Sequence, residues 1–295
     1  MCRFAYVPCP HTKEALAQIL IESLNMYNIA EKISSVVDNC STNDAMMGRL
    51  KEKFDKKSLL LRGKFLHMRC SAHILNLIVQ DGLDKIGSGI ERIRDCIAFW
   101  ISTPKRLEKF ENKVSSMELE YSKKLVLDCK TRWNSTYLML QSVLPYKEVF
   151  AKLKLQNPGM KFDVPEDDDW KFAEIICDKL KRFYKVTEVF SGRKYPTANL
   201  FFVKVCEIKT ALTKWLSSRD ETISDMAMKM KQKFDKYWST MNGLLAIASI
   251  LDPRNKLECV EFYFEDIYGE EDTMFEVDKI KNLLYDLLEE YQNDN

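Results

Sequence analysis

From about Ile90 to its end the chain reads as a succession of helical patterns, roughly 90–112, 133–154, 167–190, 198–218, 221–240 and 274–291. Pro145, Pro158, Pro165, Pro196 and Pro253 punctuate them. A proline removes an amide donor and clashes with the preceding turn, so it ends or kinks a helix. A chain patterned this way closes its core chiefly by packing helix on helix. Gly (9) and Pro (8) are scarce among 295 residues, which excludes collagen-like and low-complexity classes. Apolar residues at 46% against 30% charged are enough to bury a core.

The first 88 residues are patterned differently. Leu16, Ile19, Leu20, Leu24 and Tyr27 fall at helical spacing over 13–27. A β-branched run over 32–38 reads as a strand ending on Asp38, and Asn39 to Asp44 is rich in turn and cap residues. Ala45 to Phe54 looks helical, 65–70 reads as a second strand, and a helix runs from Ser71 or Ala72 to about Lys85, broken by Gly87 and Gly89. The expected fold class is α-rich α/β. The expected division is a small α/β segment at 1–88 followed by a helical body at 89–295.

Net charge is +1, yet residues 1–150 carry 23 Lys/Arg against 17 Asp/Glu, and 151–295 carry 22 against 27. Much of the basic excess lies in Arg49, Lys51, Lys53, Lys56, Lys57, Arg62, Lys64 and Arg69, against Glu52 and Asp55. Such a density can neutralise phosphates; a solvated helix face is the plainer reading of the same residues. Residues 258–295 hold thirteen acids against Lys279 and Lys281, a stretch that repels DNA and faces solvent or a basic partner. The nine cysteines are scattered and form no C-x-x-C, which argues against a disulfide framework or a Cys-rich zinc finger. The apolar runs are too short to span a bilayer.

Three constellations could carry chemistry. Asp38 at a strand end could ligate a divalent metal, or merely cap the next helix. Cys70 and His73 stand one helical turn apart, but without a second such pair they read more simply as packed side chains. Arg132 beside Trp133 at a helix start could offer phosphate contact and a stacking face, or be a surface Arg beside a core Trp.

Taken in order, these segments resemble one family. Val37-Asp38-Asn39-Cys40-Ser41-Thr42-Asn43-Asp44 resembles the "DNAS-N" segment of hAT-superfamily transposases. Arg69 to Leu77, with Cys70 and His73, resembles their "C-x-x-H-x-L-N-L" segment, and Thr131 to Leu140 their "RWNST" block. Tyr195-Pro196-Thr197-Ala198-Asn199, Lys233 to Trp238 and Ile250-Leu251-Asp252-Pro253-Arg254 are similar to plant members of the BED-zinc-finger RICESLEEPER and DAYSLEEPER type. The resemblance implies an RNase H-like fold, partial over 1–88 and interrupted by a long all-helical insertion that shares 89–295 with an hAT-like RNase H-fold region. It implies a nuclear protein whose partners are DNA and other transposase-like chains, with no membrane role.

It also implies chemistry in which three acids hold two Mg²⁺ ions for attack on a phosphodiester. Asp38 then resembles the second acid and metal ligand. Cys70 and His73 resemble the pair near that site, and Trp133 the ring that stacks on a flipped base. The family's BED finger, first acid and third acid have no counterpart here, so the chain is expected to be truncated at both ends. One Asp cannot hold two ions at useful affinity, so Mg²⁺ is expected in complete family members and not on this chain alone. The leading expectation is a non-catalytic DNA-binding or interaction protein using Lys51, Lys53, Lys56, Lys57, Arg62, Lys64, Arg132 and Trp133. The alternatives are a truncated gene model of an active transposase and a non-functional remnant.

Overall fold

The computed structural model describes residues 5–7, 9–30, 35–37, 41–54, 59–86, 88–157, 163–192 and 197–293. Its elements are α1 (Lys13–Met26), β1 (Val36–Val37), α2 (Ser41–Lys53), β2 (His67–Met68), α3 (Ser71–Leu83), α4 (Ser88–Ile101), α5 (Pro104–Ser116), α6 (Trp133–Val143), α7 (Lys147–Gln156), α8 (Asp167–Phe190), α9 (Ala198–Leu216), α10 (Glu221–Ile250), α11 (Lys256–Tyr268) and α12 (Glu270–Asn293). The fold class is α-rich α/β, as the sequence implies. Among the described residues the one sheet is the parallel pair β1–β2, in register Val36 to His67 and Val37 to Met68.

The chain divides into two compact units. The first comprises 1–74, 193–207 and 235–295; the second comprises 75–192 and 208–234. Each interleaves with the other along the sequence.

In the first unit, α1 begins where Thr12 Oγ1 accepts the Ala15 N–H at 3.2 Å, satisfying one donor that a helix start leaves open. Ala17 of α1 and Met46, Met47 and Leu50 of α2 share a core with Leu59 and Leu66. The parallel pair needs a crossover rather than a hairpin, and α2 lies in that crossover. The Val36 N–H donates to the Leu66 carbonyl at 2.6 Å, just before β2. A second cluster forms around Phe202, which stacks on Trp238 with centroids 6.3 Å apart and meets Phe264 at 5.7 Å. The Trp238 indole N–H donates to the Tyr268 hydroxyl at 2.6 Å. α11 and α12 turn at Gly269, whose φ of +80° suits a residue without Cβ. These two helices leave Phe262, Met274, Phe275, Tyr285, Leu288 and Tyr291 exposed among the acids of 258–290.

In the second unit, α4 places Ile90, Ile93, Cys96, Ile97 and Trp100 on one buried face. The stretch 90–112, expected as one helix, is two. Ser102 and Thr103 break it, Thr103 Oγ1 caps α5 at the Arg106 N–H, and Pro104 occupies a first-turn position where no donor is needed. Phe110 of α5 sits 5.1 Å from Phe150 and 5.8 Å, edge-on, from Tyr146. α8 begins with a capping box between Glu166 and Asp169. The irregular stretch 117–132 is tied down by side chains: Tyr146 hydroxyl donates to the Lys123 carbonyl at 3.0 Å, and Ser142 Oγ accepts the Val126 N–H at 3.3 Å. Burying those bonds replaces the ladder such a segment lacks.

Candidate nucleic-acid interface

The basic stretch belongs to the first unit. Met46, Met47 and Leu50 are buried, while Arg49, Lys51 and Lys53 are exposed. Lys51 and Lys53 fall in the last turn of α2, where the helix dipole favours cations. Arg49 pairs with Glu52 at 3.1 Å, and Lys53 Nζ donates to Gln18 Oε1 at 3.1 Å. Both partners are exposed, and such pairs contribute little.

Beyond them the backbone makes a left-handed turn: φ is +47° at Leu61, +54° at Arg62 and +79° at Gly63. Leu59 and Leu66 are buried on either side, while Arg62 and Lys64 are exposed. The Leu61 N–H donates to both carboxylate oxygens of Glu290 on α12, at 2.8 and 2.7 Å. Arg69 lies 5.9 Å from the ring of Tyr237, bringing together two of the segments that carry the family resemblance. Asp38, Lys56 and Lys57 lie outside the described residues.

Cys70 and His73 sit at the start of α3, two and five residues beyond β2. The Cys70 carbonyl accepts the Ile74 N–H at 3.0 Å. Cys70 is half-buried and His73 exposed. Among the described residues, which do not include Asp38, no three His, Cys, Asp or Glu side chains gather as a metal site.

Arg132 and Trp133 belong to the second unit, and here one expectation is corrected. Trp133 is only 2% exposed and packs edge-on against Phe183, with ring centroids 6.3 Å apart. An indole enclosed in this way is core, with no face open to a base. Arg132 is exposed and precedes α6 in extended conformation. The block around it is a local clamp. Ser135 Oγ accepts the Cys129 N–H at 2.8 Å and lies 2.6 Å from the Arg132 carbonyl. Thr136 Oγ1 donates to Asp128 at 2.7 Å, and Arg94 grips both Asp128 oxygens at 2.7 Å. The Asp128 side chain is fully buried. Burial alone raises its pKa, but the hydrogen bonds from Arg94 and Thr136 outweigh it and hold the carboxyl below its ordinary value.

The motif Ile250 to Arg254 is a second clamp, and its role was not legible from spacing. Asp252 accepts from Asn199 Nδ2 at 2.6 Å, from Arg254 Nε at 2.9 Å and Nη2 at 2.6 Å, and from the Arg254 backbone at 3.0 Å. Arg254 and Asn199 hold its carboxyl far below the ordinary range. Two segments singled out by resemblance therefore bond to each other.

Comparison with known proteins matches three segments in order along the chain. Residues 1–65 match the ZBED1 RNase-like domain, 68–179 the ZBED1 RNase-like helical domain, and 199–291 the hAT-like transposase RNase-H fold. The Zinc finger BED domain-containing protein RICESLEEPER 2 of Oryza sativa subsp. japonica is 35% identical over 294 residues, covering 99% of this chain and 40% of that protein. The Putative AC transposase of Zea mays is 37% identical over 272 residues, covering 90% of this chain and 34% of that protein. The Zinc finger BED domain-containing protein DAYSLEEPER of Arabidopsis thaliana is 28% identical over 283 residues, 96% of this chain and 40% of its own length. The chain thus spans about two fifths or less of the relatives it matches. An α/β region with an RNase H-like fold, a helical region within it, and the family's motifs in their order identify the chain as a member of the hAT transposase-derived family of the BED-zinc-finger type.

Proposed function

We propose that this region binds the phosphate backbone of DNA through the basic stretch of its first unit and performs no strand chemistry by itself. The observation that carries the reading is the outward display of Arg49, Lys51, Lys53, Arg62 and Lys64 around the buried Met46, Met47, Leu50, Leu59 and Leu66. Cations fixed on a packed floor can release counterions from a duplex without first being ordered. Arg132 adds an exposed cation in the second unit. The proposed location is the nucleus, and the proposed partners are DNA and other transposase-like chains, in keeping with what the relatives are called.

A second reading is favoured by coverage. The matched region is two fifths of RICESLEEPER 2, so it can act within a longer transposase. Asp38 is then this chain's contribution to an Mg²⁺ centre, with Cys70 and His73 near it, and other parts of the longer protein supply the remaining carboxylates.

Anisotropy of labelled duplex DNA, titrated with the chain across a salt series, tests the first reading. The expected log–log slope falls by about 1 for each phosphate-contacting cation removed. Binding that ignores salt, or that survives loss of Lys51, Lys53, Arg62 and Lys64 together, rejects it. Cleavage of DNA by this chain with Mg²⁺ would reject the claim that it performs no chemistry alone.

A further inference from the structure

We infer that Glu290 is a positioning residue for the basic stretch: its carboxylate holds the left-handed turn at 60–63 and so fixes the outward display of Arg62 and Lys64. The inference rests on the DNA-binding reading above. A carboxylate beside phosphate-binding cations is an odd choice on charge alone, because it repels the ligand they attract. Geometry explains it. Leu61 and Arg62 both adopt positive φ, at +47° and +54°, a conformation that L-residues with a Cβ pay for. Something must compensate, and the contact present is the Leu61 N–H on both Glu290 oxygens at 2.8 and 2.7 Å. Charge-assisted bonds of this kind are stronger than neutral ones.

The turn is also closed by the Lys64 N–H on the Leu61 carbonyl at 3.1 Å and the Leu66 N–H on the Gly63 carbonyl at 3.2 Å, and apolar side chains fix its inner side; only the Glu290 contact engages the Leu61 N–H from another element. Leu59 is 2% and Leu66 0% exposed. Gly63 lies so close beneath them that a Cβ there would sit 3.1 Å from Leu59 Cδ1. Arg62 and Lys64 flank this buried glycine and are exposed. Releasing Leu61 lets the two strained residues return to negative φ, and the cations beside Gly63 then lose their common direction.

The test compares the wild-type chain with Glu290→Ala, Glu290→Gln, Glu290→Ala/Leu61→Gly and Arg62→Ala/Lys64→Ala, by duplex-DNA anisotropy across salt, with a thermal melt of each. The Arg62/Lys64 double change lowers the salt slope by about 1.8 and weakens binding about tenfold. Glu290→Ala reproduces most of that loss. Glu290→Gln loses less than Glu290→Ala, because its amide carbonyl still accepts the Leu61 N–H, though without the charge. Adding Leu61→Gly to Glu290→Ala restores binding, since glycine takes positive φ without strain. If Glu290→Ala binds as tightly as wild type or tighter, repulsion is all that Glu290 contributes, and the inference is overturned while the DNA reading stands. If the Arg62/Lys64 change has no effect, that reading fails for these residues and takes the inference with it.

Discussion

Asn199 and Asp252, 53 residues apart, meet through one hydrogen bond of 2.6 Å from the Asn199 amide to an almost fully buried carboxylate oxygen. This bond joins the start of α9 to the turn between α10 and α11. It explains why an Asp-Pro-Arg sequence suits that turn: the Asp accepts from the Arg254 backbone two residues on, as an Asx turn does, and the Arg254 side chain completes its acceptor capacity.

The pH dependence of stability follows from the depressed Asp252 carboxyl. Such a group contributes stability above its unfolded value, about 3.9, and loses it as pH falls through the lower folded value. Asp252→Asn lowers the melting temperature at neutral pH, and the gap to wild type narrows as the solution is acidified below about pH 4. A gap independent of pH would mean that the carboxylate's charge plays no part.

Arg94→Ala leaves Asp128 buried without its cation. Removing one partner of a buried pair costs about 3–5 kcal/mol, far more than cutting an exposed pair such as Lys171–Asp168. Urea unfolding measures the difference. Arg94→Ala/Asp128→Asn recovers much of the loss if the stranded charge is the cause.

Gly89→Ala introduces a Cβ 2.7 Å from Asp169 Oδ1. That oxygen cannot simply move aside, because Asp169 bonds Arg92 and accepts the Glu166 N–H at 2.8 Å. The expected cost is about 1–3 kcal/mol, the range for forced overpacking. Thermal melts that match wild type would show that α8 yields more readily than this bonding implies.

Trp133→Ala removes a core ring and costs about 3–5 kcal/mol. Trp133→Phe keeps edge contact with Phe183 and costs less. Neither changes the relative affinity for intact and distorted DNA at a temperature where both are folded. A selective loss on distorted DNA would return the indole to a stacking role.

Some of this was legible before the fold was known. α8 runs 167–190 as the sequence reads, because three acids open it and an unbroken apolar period follows. Of the strands expected at 32–38 and 65–70, the described residues hold Val36–Val37 and His67–Met68, while 32–34 and 38 lie outside them. Reading 90–112 as one helix overlooked Thr103-Pro104, a cap followed by a residue suited to a first turn. α11 went unread, as its apolar spacing is crowded with aromatics and acids. The clamps at Asp128, Asp252 and Glu290 were invisible for a common reason: each acid's partner lies far away in sequence or depends on backbone direction. An Arg-Trp pair looks the same in sequence whether the ring points in or out, so the spacing leaves both readings of Trp133 open, and its burial decides for the core.

The apolar side chains exposed on α11 and α12 lie among acids, and that mixture ties this surface to salt. Counterions screen the mutual repulsion of those acids. Added salt therefore lowers the charge around Phe262, Met274 and Tyr285 while leaving their apolar area as it was.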